Sequence, residues 1–250
     1  MRVTFLGTGS AMPTGERYQT GLVLEDERTL LVDCGCGVLQ RLQTHGPGYE
    51  AIDSVLLTHH HIDHVSDLMA LLKARWLADA PELTIAGPAG TRALVDGLFE
   101  VHEYMKGRFD LTVRELDPAN APFEIAGLDV DAMETIHSMD CLAYRFDDRF
   151  GFGGDSEAFA ELADFFDETA VVALDCSFPD GVDVSNHATP TAIGEMLSEA
   201  DAELGRLYLT HCYPHTDGRH DEMLENLTAE FDVDARVAHD GLSLTIDESG

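Results

Sequence analysis

The run His59-His60-His61-Ile62-Asp63-His64 constrains this chain more than any other stretch of it. It follows Ser54–Thr58, a short apolar run of strand length. It precedes Val65–Leu77, where Leu68, Leu71, Leu72 and Trp76 recur at helical spacing. A strand that stops and a helix that begins therefore bracket the cluster. His59, His61, Asp63 and His64 offer three imidazoles and a carboxylate, borderline ligands suited to zinc and its neighbours. On a tight loop, residues i and i+2 can turn to one centre, and residues i+4 and i+5 to a second one nearby. A closed structural zinc site usually recruits cysteines. This cluster has none, and it has too many ligands for one closed site, so an open catalytic pair of ions is expected. His60 lies between ligand positions, is expected to point away, and is left out of the site.

The rest of the chain reads as strands and helices in a layered order. Strands are expected at Val3–Leu6, Gly21–Glu25 and Thr29–Asp33, then a helix at Val38–Thr44 after Gly35 and Gly37. Leu83–Ala86 reads as a strand and Thr91–Met105 as a helix. The second half repeats the style. Its strands are Leu111–Leu116, Phe123–Ala126, Val130–Ile136, Leu142–Phe146, Phe150–Phe152, Val171–Asp175, Leu207–Thr210, Val237–His239 and Leu242–Ile246. Its helices are Glu157–Phe166 and Thr189–Ala200, with Thr189 as a candidate cap and Pro190 at the first helical position. Several strands end at His or Asp, so polar residues should gather along one edge of the sheets. Two strand-rich halves flanked by helices point to an α/β fold, an αββα sandwich in one domain over residues 1–250.

Charge narrows the partners. The chain carries 47 Asp plus Glu against 15 Lys plus Arg, a formal net charge of -32, and its only lysines are Lys73 and Lys106. A compact chain this acidic repels itself. At molar salt the Debye length falls to about 3 Å and the repulsion is screened. The composition resembles that of proteins from salt-accumulating halophiles. An extended nucleic-acid surface is not expected, because Lys and Arg drive phosphate binding and few are present. Nothing reads as a signal peptide, and no apolar stretch approaches the ~20 residues of a spanning helix. A cytoplasmic location without a membrane partner is therefore expected. Cys34, Cys36, Cys141, Cys176 and Cys212 have no disulfide-framework spacing and read as free thiols. Cys34 and Cys36 lack the further partners that a closed zinc site needs.

His59-x-His61-x-Asp63-His64 after a strand ending in Thr58 resembles the metallo-β-lactamase superfamily. Phe5-Leu6-Gly7-Thr8-Gly9-Ser10 with Pro13, and Leu31-Val32-Asp33-Cys34-Gly35, are similar to its ribonuclease Z and phosphodiesterase branch. The resemblance runs to His239-Asp240-Gly241. It implies the αββα sandwich and two zinc ions, with manganese or iron also suited to such ligands. It further implies that His137, in Thr135-Ile136-His137-Ser138, joins His59 and His61 at one ion, with Ala143-Tyr144-Arg145 supporting the match. His211, in Leu209-Thr210-His211, would join Asp63 and His64 at the other. Asp155, in Gly153-Gly154-Asp155-Ser156, would bridge the two. His187, in Asn186-His187-Ala188-Thr189-Pro190, matches the branch's proton donor to the leaving group. Its implied partner is Asp175, where the family nuclease commonly has Glu. Asp63, His187 and Asp175 are thus the expected catalytic residues. His215 is a candidate for lining the pocket.

The implied chemistry is phosphodiester hydrolysis. Two ions lower the pKa of a shared water, which attacks phosphorus in line, while His187 protonates the departing oxygen. Transfer-RNA-processing members of the branch carry a long basic arm between the positions of His137 and Asp155. Here that interval is too short for an arm. A small or cyclic phosphodiester is the expected substrate. A tRNA 3′-processing endonuclease and a lactone or thioester hydrolase of the same fold are the alternatives, and a non-enzymatic metal-dependent binding module fits least. Related proteins often pair, so a homodimer is expected as a partner state.

Overall fold

The structure is a computed structural model, and it describes residues 1–247. The expected domain span runs to residue 250, and its last three positions lie outside the described residues. The first half forms β1 (Arg2–Gly7), β2 (Gly21–Glu25), β3 (Thr29–Val32), α1 (Val38–His45), β4 (Ser54–Leu56), α2 (Ile62–Val65), α3 (Leu68–Leu77), β5 (Glu82–Gly87), α4 (Thr91–Val101) and β6 (Asp110–Glu115). The second half forms β7 (Phe123–Ile125), β8 (Leu128–Glu134), β9 (Leu142–Phe146), β10 (Phe150–Phe152), α5 (Ala160–Phe165), β11 (Val171–Asp175), α6 (Pro190–Glu199), β12 (Arg206–Thr210), α7 (His220–Glu230), β13 (Asp234–Val237) and β14 (Ser243–Thr245).

These strands build two seven-stranded mixed sheets, ordered β14-β1-β2-β3-β4-β5-β6 and β13-β12-β11-β10-β9-β8-β7. The period-two alternation of a strand sorts its side chains into layers. Leu22 and Leu24 of β2 join Phe5, Tyr144, Phe146, Phe150 and Tyr208 in a core between the sheets, where Phe5 meets Phe150 edge-on at 6.5 Å. Val23 points the other way, into a core with Val38, Leu42, Leu68 and Leu71 of the helices. On the far side Leu174, Leu207 and Leu209 pack against Ile193, Leu197 and Leu227. Helix, sheet, sheet and helix therefore stack in the expected αββα order.

The parallel run β3-β4-β5-β6 and the parallel run β10-β11-β12-β13 both point their carboxyl ends to one edge of the sandwich. Ligand sites in α/β sheets form at such edges, because the loops there are free of the ladder. Asp33 follows β3, His59 follows β4, Asp175 ends β11 and His211 follows β12.

Several expected elements are shorter than the sequence suggests. The strand expected over Val130–Ile136 ends at Glu134, because Ile136 N–H turns to Ser156 Oγ at 3.3 Å instead of the neighbouring strand. The helix expected over Val65–Leu77 is two helices, α2 and α3. The helix expected over Thr91–Met105 breaks at His102 and continues as a tighter turn. The helix expected from Glu157 starts at Ala160, since the Glu157 side chain accepts from Asn186 N–H at 2.7 Å. The strand expected at Val237–His239 is misplaced: β13 lies at Asp234–Val237 and shares only Val237 with that span. Pro190 does occupy the first position of α6, but Thr189 makes no side-chain capping bond. All five cysteines are free thiols. Among the described residues no helix is long and apolar enough to cross a membrane.

Candidate metal centre and catalytic cleft

The histidine loop is held from below. Thr58 donates both its backbone N–H and its hydroxyl to the buried Asp33 carboxylate, each at 2.8 Å. Cys34 N–H donates to His64 O at 2.7 Å, which ties the loop to the end of β3. Between them Gly35 leaves no room for a side chain, since a Cβ there would stand 2.1 Å from Asp63 O. Gly35→Ala must therefore displace the backbone that carries Asp63 and His64. We expect a loss of about 1–3 kcal/mol in denaturant unfolding, together with reduced metal content. An alanine variant with wild-type values for both would refute this packing argument.

The seven expected ligands converge. His59 Nε2 lies 3.0 Å from His61 Nδ1, which lies 3.1 Å from His137 Nε2. Asp155 Oδ2 stands 3.7 Å from His59 Nε2 and 3.9 Å from His137 Nε2. Beside this set, His211 Nε2 lies 3.2 Å from Asp63 Oδ2 and 3.4 Å from His64 Nε2, and His64 Nε2 lies 3.8 Å from Asp63 Oδ2. Asp155 closes this second set too, with Oδ1 at 3.4 Å from His64 and Oδ2 at 3.4 Å from His211. A tetrahedral zinc with bonds of about 2.0–2.1 Å separates its ligand atoms by about 3.4 Å. Both sets bracket that edge length, so both could hold such an ion, with Asp155 shared. Three imidazole nitrogens facing one point cannot satisfy one another with protons alone, whereas a cation accepts all three lone pairs.

The outer nitrogens of four of the five ligand histidines are also positioned. His64 Nδ1 meets Asp33 Oδ2 at 2.8 Å, His137 Nδ1 meets Asn186 O at 2.9 Å, and His211 Nδ1 meets Ser177 Oγ at 2.9 Å. His59 Nδ1 lies 3.0 Å from Thr58 Oγ1. Such partners fix ring orientation and tautomer. Burial, reinforced by His64, pushes His59 down so that it stays neutral, the form that binds metal. Burial alone would raise Asp155, but His211, His64 and His59 around it hold it well below the usual carboxylate range. Asp33, Asn186 and His211 adopt left-handed backbone, with φ of 58°, 66° and 56°. Such conformations cost about 1–3 kcal/mol each and cluster at functional sites.

His187 and Asp175 are brought together as expected. His187 Nδ1 donates to Asp175 Oδ2 at 2.6 Å, so the shorter Asp arm reaches. Asp155, Asp175, His187 and His211 also lie close enough to count as a possible ion cluster. Asp175 and His187 are closer than two ligands of one ion, and a proton between them explains that spacing better. Burial alone would lower His187, but the bond from Asp175 raises it above the ordinary histidine value. A cleft of about 290 Å³ opens over the two ligand sets, lined by Asp63, His137, Asp155, His187 and Tyr213 among others. Burial, then the nearby carboxylates, push the Tyr213 phenol to about 12, so it remains a donor at neutral pH.

His60, left out of the site, lies outside the cage, as do Arg145 and the pocket candidate His215. His60 Nε2 pairs with Thr91 Oγ1 at 2.9 Å. Arg145 reaches across the ladder to Asp131 at 3.0 Å and does not line the cleft. His215 is exposed and lies against Phe178, at 5.1 Å between ring centres. Among the described residues no cysteine joins a potential metal cluster. Sequence reasoning missed the roles of Asp33, Ser177, Asn186 and Tyr213. Asp33 carried a signal, because it stands where a buried strand ends.

The family model described as "Anti-Pycsar protein Apyc1" matches residues 1–226. The chain belongs to the Apyc1 family. Relatives of this Apyc1-family chain include a protein called ribonuclease Z from Mycolicibacterium gilvum, 42% identical over 109 residues, 42% of this chain and 38% of that protein. Another, from Methanopyrus kandleri, is 38% identical over 146 residues, 57% of this chain and 49% of that protein. The chain thus spans about half the length, or less, of these curated relatives. Among solved structures, the metallo-β-lactamase fold protein YhfI from Bacillus subtilis superposes with a TM-score of 0.82 at 25% identity, covering 98% of this chain and 99% of that one. The short form of human tRNase Z gives 0.77 at 22% identity, covering 99% and 100%. The Apyc1-family chain therefore has the metallo-β-lactamase fold.

Proposed function

We propose that this protein is a dinuclear metal-dependent hydrolase, acting as a phosphodiesterase on small or cyclic phosphodiesters. The observation that carries the reading is the His187–Asp175 pair, whose histidine lines the same cleft as the two ligand sets. When bound, two ions, zinc or alternatively manganese or iron, would lower the pKa of a water and neutralise phosphoryl charge. His59, His61, His137 and Asp155 would hold one, and Asp63, His64, His211 and Asp155 the other. Asp175 keeps the His187 ring oriented with Nδ1 engaged, which leaves Nε2 to pass a proton to the departing oxygen. Acyl transfer from a thioester has less use for that donor, because a thiolate departs without a proton.

The size and charge of the cleft support a small substrate. At about 290 Å³ it sits at the lower end of ligand pockets. None of its lining residues is Lys or Arg, so a polyanion would find no side-chain cation there. The likeness to proteins called ribonuclease Z favours a second reading, tRNA 3′ processing, which the net charge of -32 opposes. The cytoplasmic location and the homodimer remain part of the proposal. The test is a panel at low and molar salt: bis(p-nitrophenyl) phosphate, cyclic nucleotides, a lactone and a precursor tRNA, with metal content read on the same sample. Hydrolysis of the small diesters is expected, with faster turnover at molar salt if the acidic surface needs screening. Activity confined to the lactone or to the tRNA would overturn the small-diester reading.

A further inference from the structure

Ser177 sits where the two halves of the machinery meet, two residues beyond Asp175 at the end of β11. Its side chain is fully buried. Four groups surround Oγ: Asp175 Oδ1 at 2.6 Å, His211 Nδ1 at 2.9 Å, His211 O at 3.1 Å and His187 Nδ1 at 3.2 Å. A hydroxyl has one proton and two lone pairs. The shortest contact is to a carboxylate oxygen, and charge-assisted bonds are the stronger ones, so the proton goes to Asp175. Ser177 Oγ can then only accept from His211 Nδ1. Its contact with His211 O is left as a minor share of the same proton, and His187 Nδ1 is already committed to Asp175 Oδ2 at 2.6 Å.

We propose that Ser177 is a positioning residue that fixes the Nδ1–H tautomer of His211 and couples it to the carboxylate that also orients His187. This rests on the two-ion reading above. Asp175 serves both sides: Oδ2 holds His187, and Oδ1 acts through the Ser177 hydroxyl on His211. The consequence is that the Nε2 lone pair of His211 faces Asp63, His64 and Asp155 without competition. The left-handed backbone at His211 adds to the need for such a tether, because the side chain leaves a strained main chain. The first ligand set has no hydrogen bond to Ser177 and meets His211 only through the shared Asp155, so its affinity depends less on this hydroxyl.

The test reads metal, not turnover. The zinc-loaded protein is titrated with a chelator while bound zinc is counted. Wild type should release its two ions at chelator levels set by each site. Ser177→Ala should lose one ion at roughly 10- to 100-fold lower chelator, the usual cost of removing such a partner, while the other ion shifts clearly less. Retention of both ions at wild-type levels overturns the proposal. Equal weakening of both overturns it too, since that reports general loss of packing. Long-range ¹H–¹⁵N spectra of the unmutated zinc-loaded protein give an arm that no folding defect can obscure. They should show His211 protonated at Nδ1, and a His211 bare at Nδ1 overturns the proposal. A wild type that binds two ions yet cleaves no phosphodiester sinks the proposed activity and leaves this inference standing.

Discussion

Replacing Asp155 with alanine is expected to abolish turnover by about 10³-fold or more and to strip metal from both ligand sets at once. The reason is its position. Its two oxygens lie 3.4–3.9 Å from four ligand nitrogens, on His59, His64, His137 and His211. Among the described residues, no other side chain is shared by the two sets in this way. Losing His137 or Asp63 leaves one set intact, whereas losing Asp155 removes a charged ligand from each. Metal ions contribute several kcal/mol of charge stabilisation in such reactions, and each 1.36 kcal/mol is about tenfold in rate. Asp155→Asn is the sharper variant, since it keeps the shape and removes only the negative charge. Zinc counting by elemental analysis should find both sites depleted. A variant that kept two ions and a tenth of its activity would show that Asp155 is not shared between them.

The cage was partly legible in the sequence because four of its ligands are local. His59 and His61 lie between β4 and α2, Asp63 and His64 lie in α2 itself, and spacing alone suggests how they divide. His137, Asp155 and His211 are brought in from the second sheet, and only the family resemblance pointed to them. No periodicity could have done so, since their meeting depends on how two sheets face each other. Ser177 and Asp33 were less visible still. Each acts through a histidine more than thirty positions away, and Ser and Asp at strand ends are common. Hydrophobic strands were the easiest elements to bound. β2, β9, β10 and β11 match their expected limits because each is buried on both faces and reads as an apolar run. The expected limits failed where the chain leaves its ladder to serve the site. β8 stops at Glu134 so that Thr135–Ser138 can carry His137 over the cleft, and Thr135 Oγ1 donates to Asp155 O at 2.8 Å. Strand propensity continues there, but the hydrogen-bond partners lie elsewhere.

His187→Ala is expected to slow turnover by roughly 10²–10⁴-fold while leaving both ions in place. The size of the loss should depend on the leaving group. An alkoxide, such as the sugar oxygen of a cyclic nucleotide, needs a proton as it departs, so the full loss should appear with that substrate. A nitrophenolate leaves without one, so bis(p-nitrophenyl) phosphate should be hydrolysed by the variant at close to the wild-type rate. This contrast separates the donor role from two others open to a histidine in this place. The first is ion binding, since His187 lies near Asp155, Asp175 and His211. If His187 were a ligand, zinc would be lost and both substrates would suffer alike. The second is substrate packing, since the ring lies 5.3 Å from His211 and 5.7 Å from Tyr213 between centres. If His187 only packed, KM would rise while kcat held. The contact that decides among them is Nδ1 to Asp175 Oδ2 at 2.6 Å. It commits one nitrogen to a carboxylate and turns the other to the cleft, where a departing oxygen can take its proton. Equal losses with the two diesters would remove His187 from the proton-transfer step.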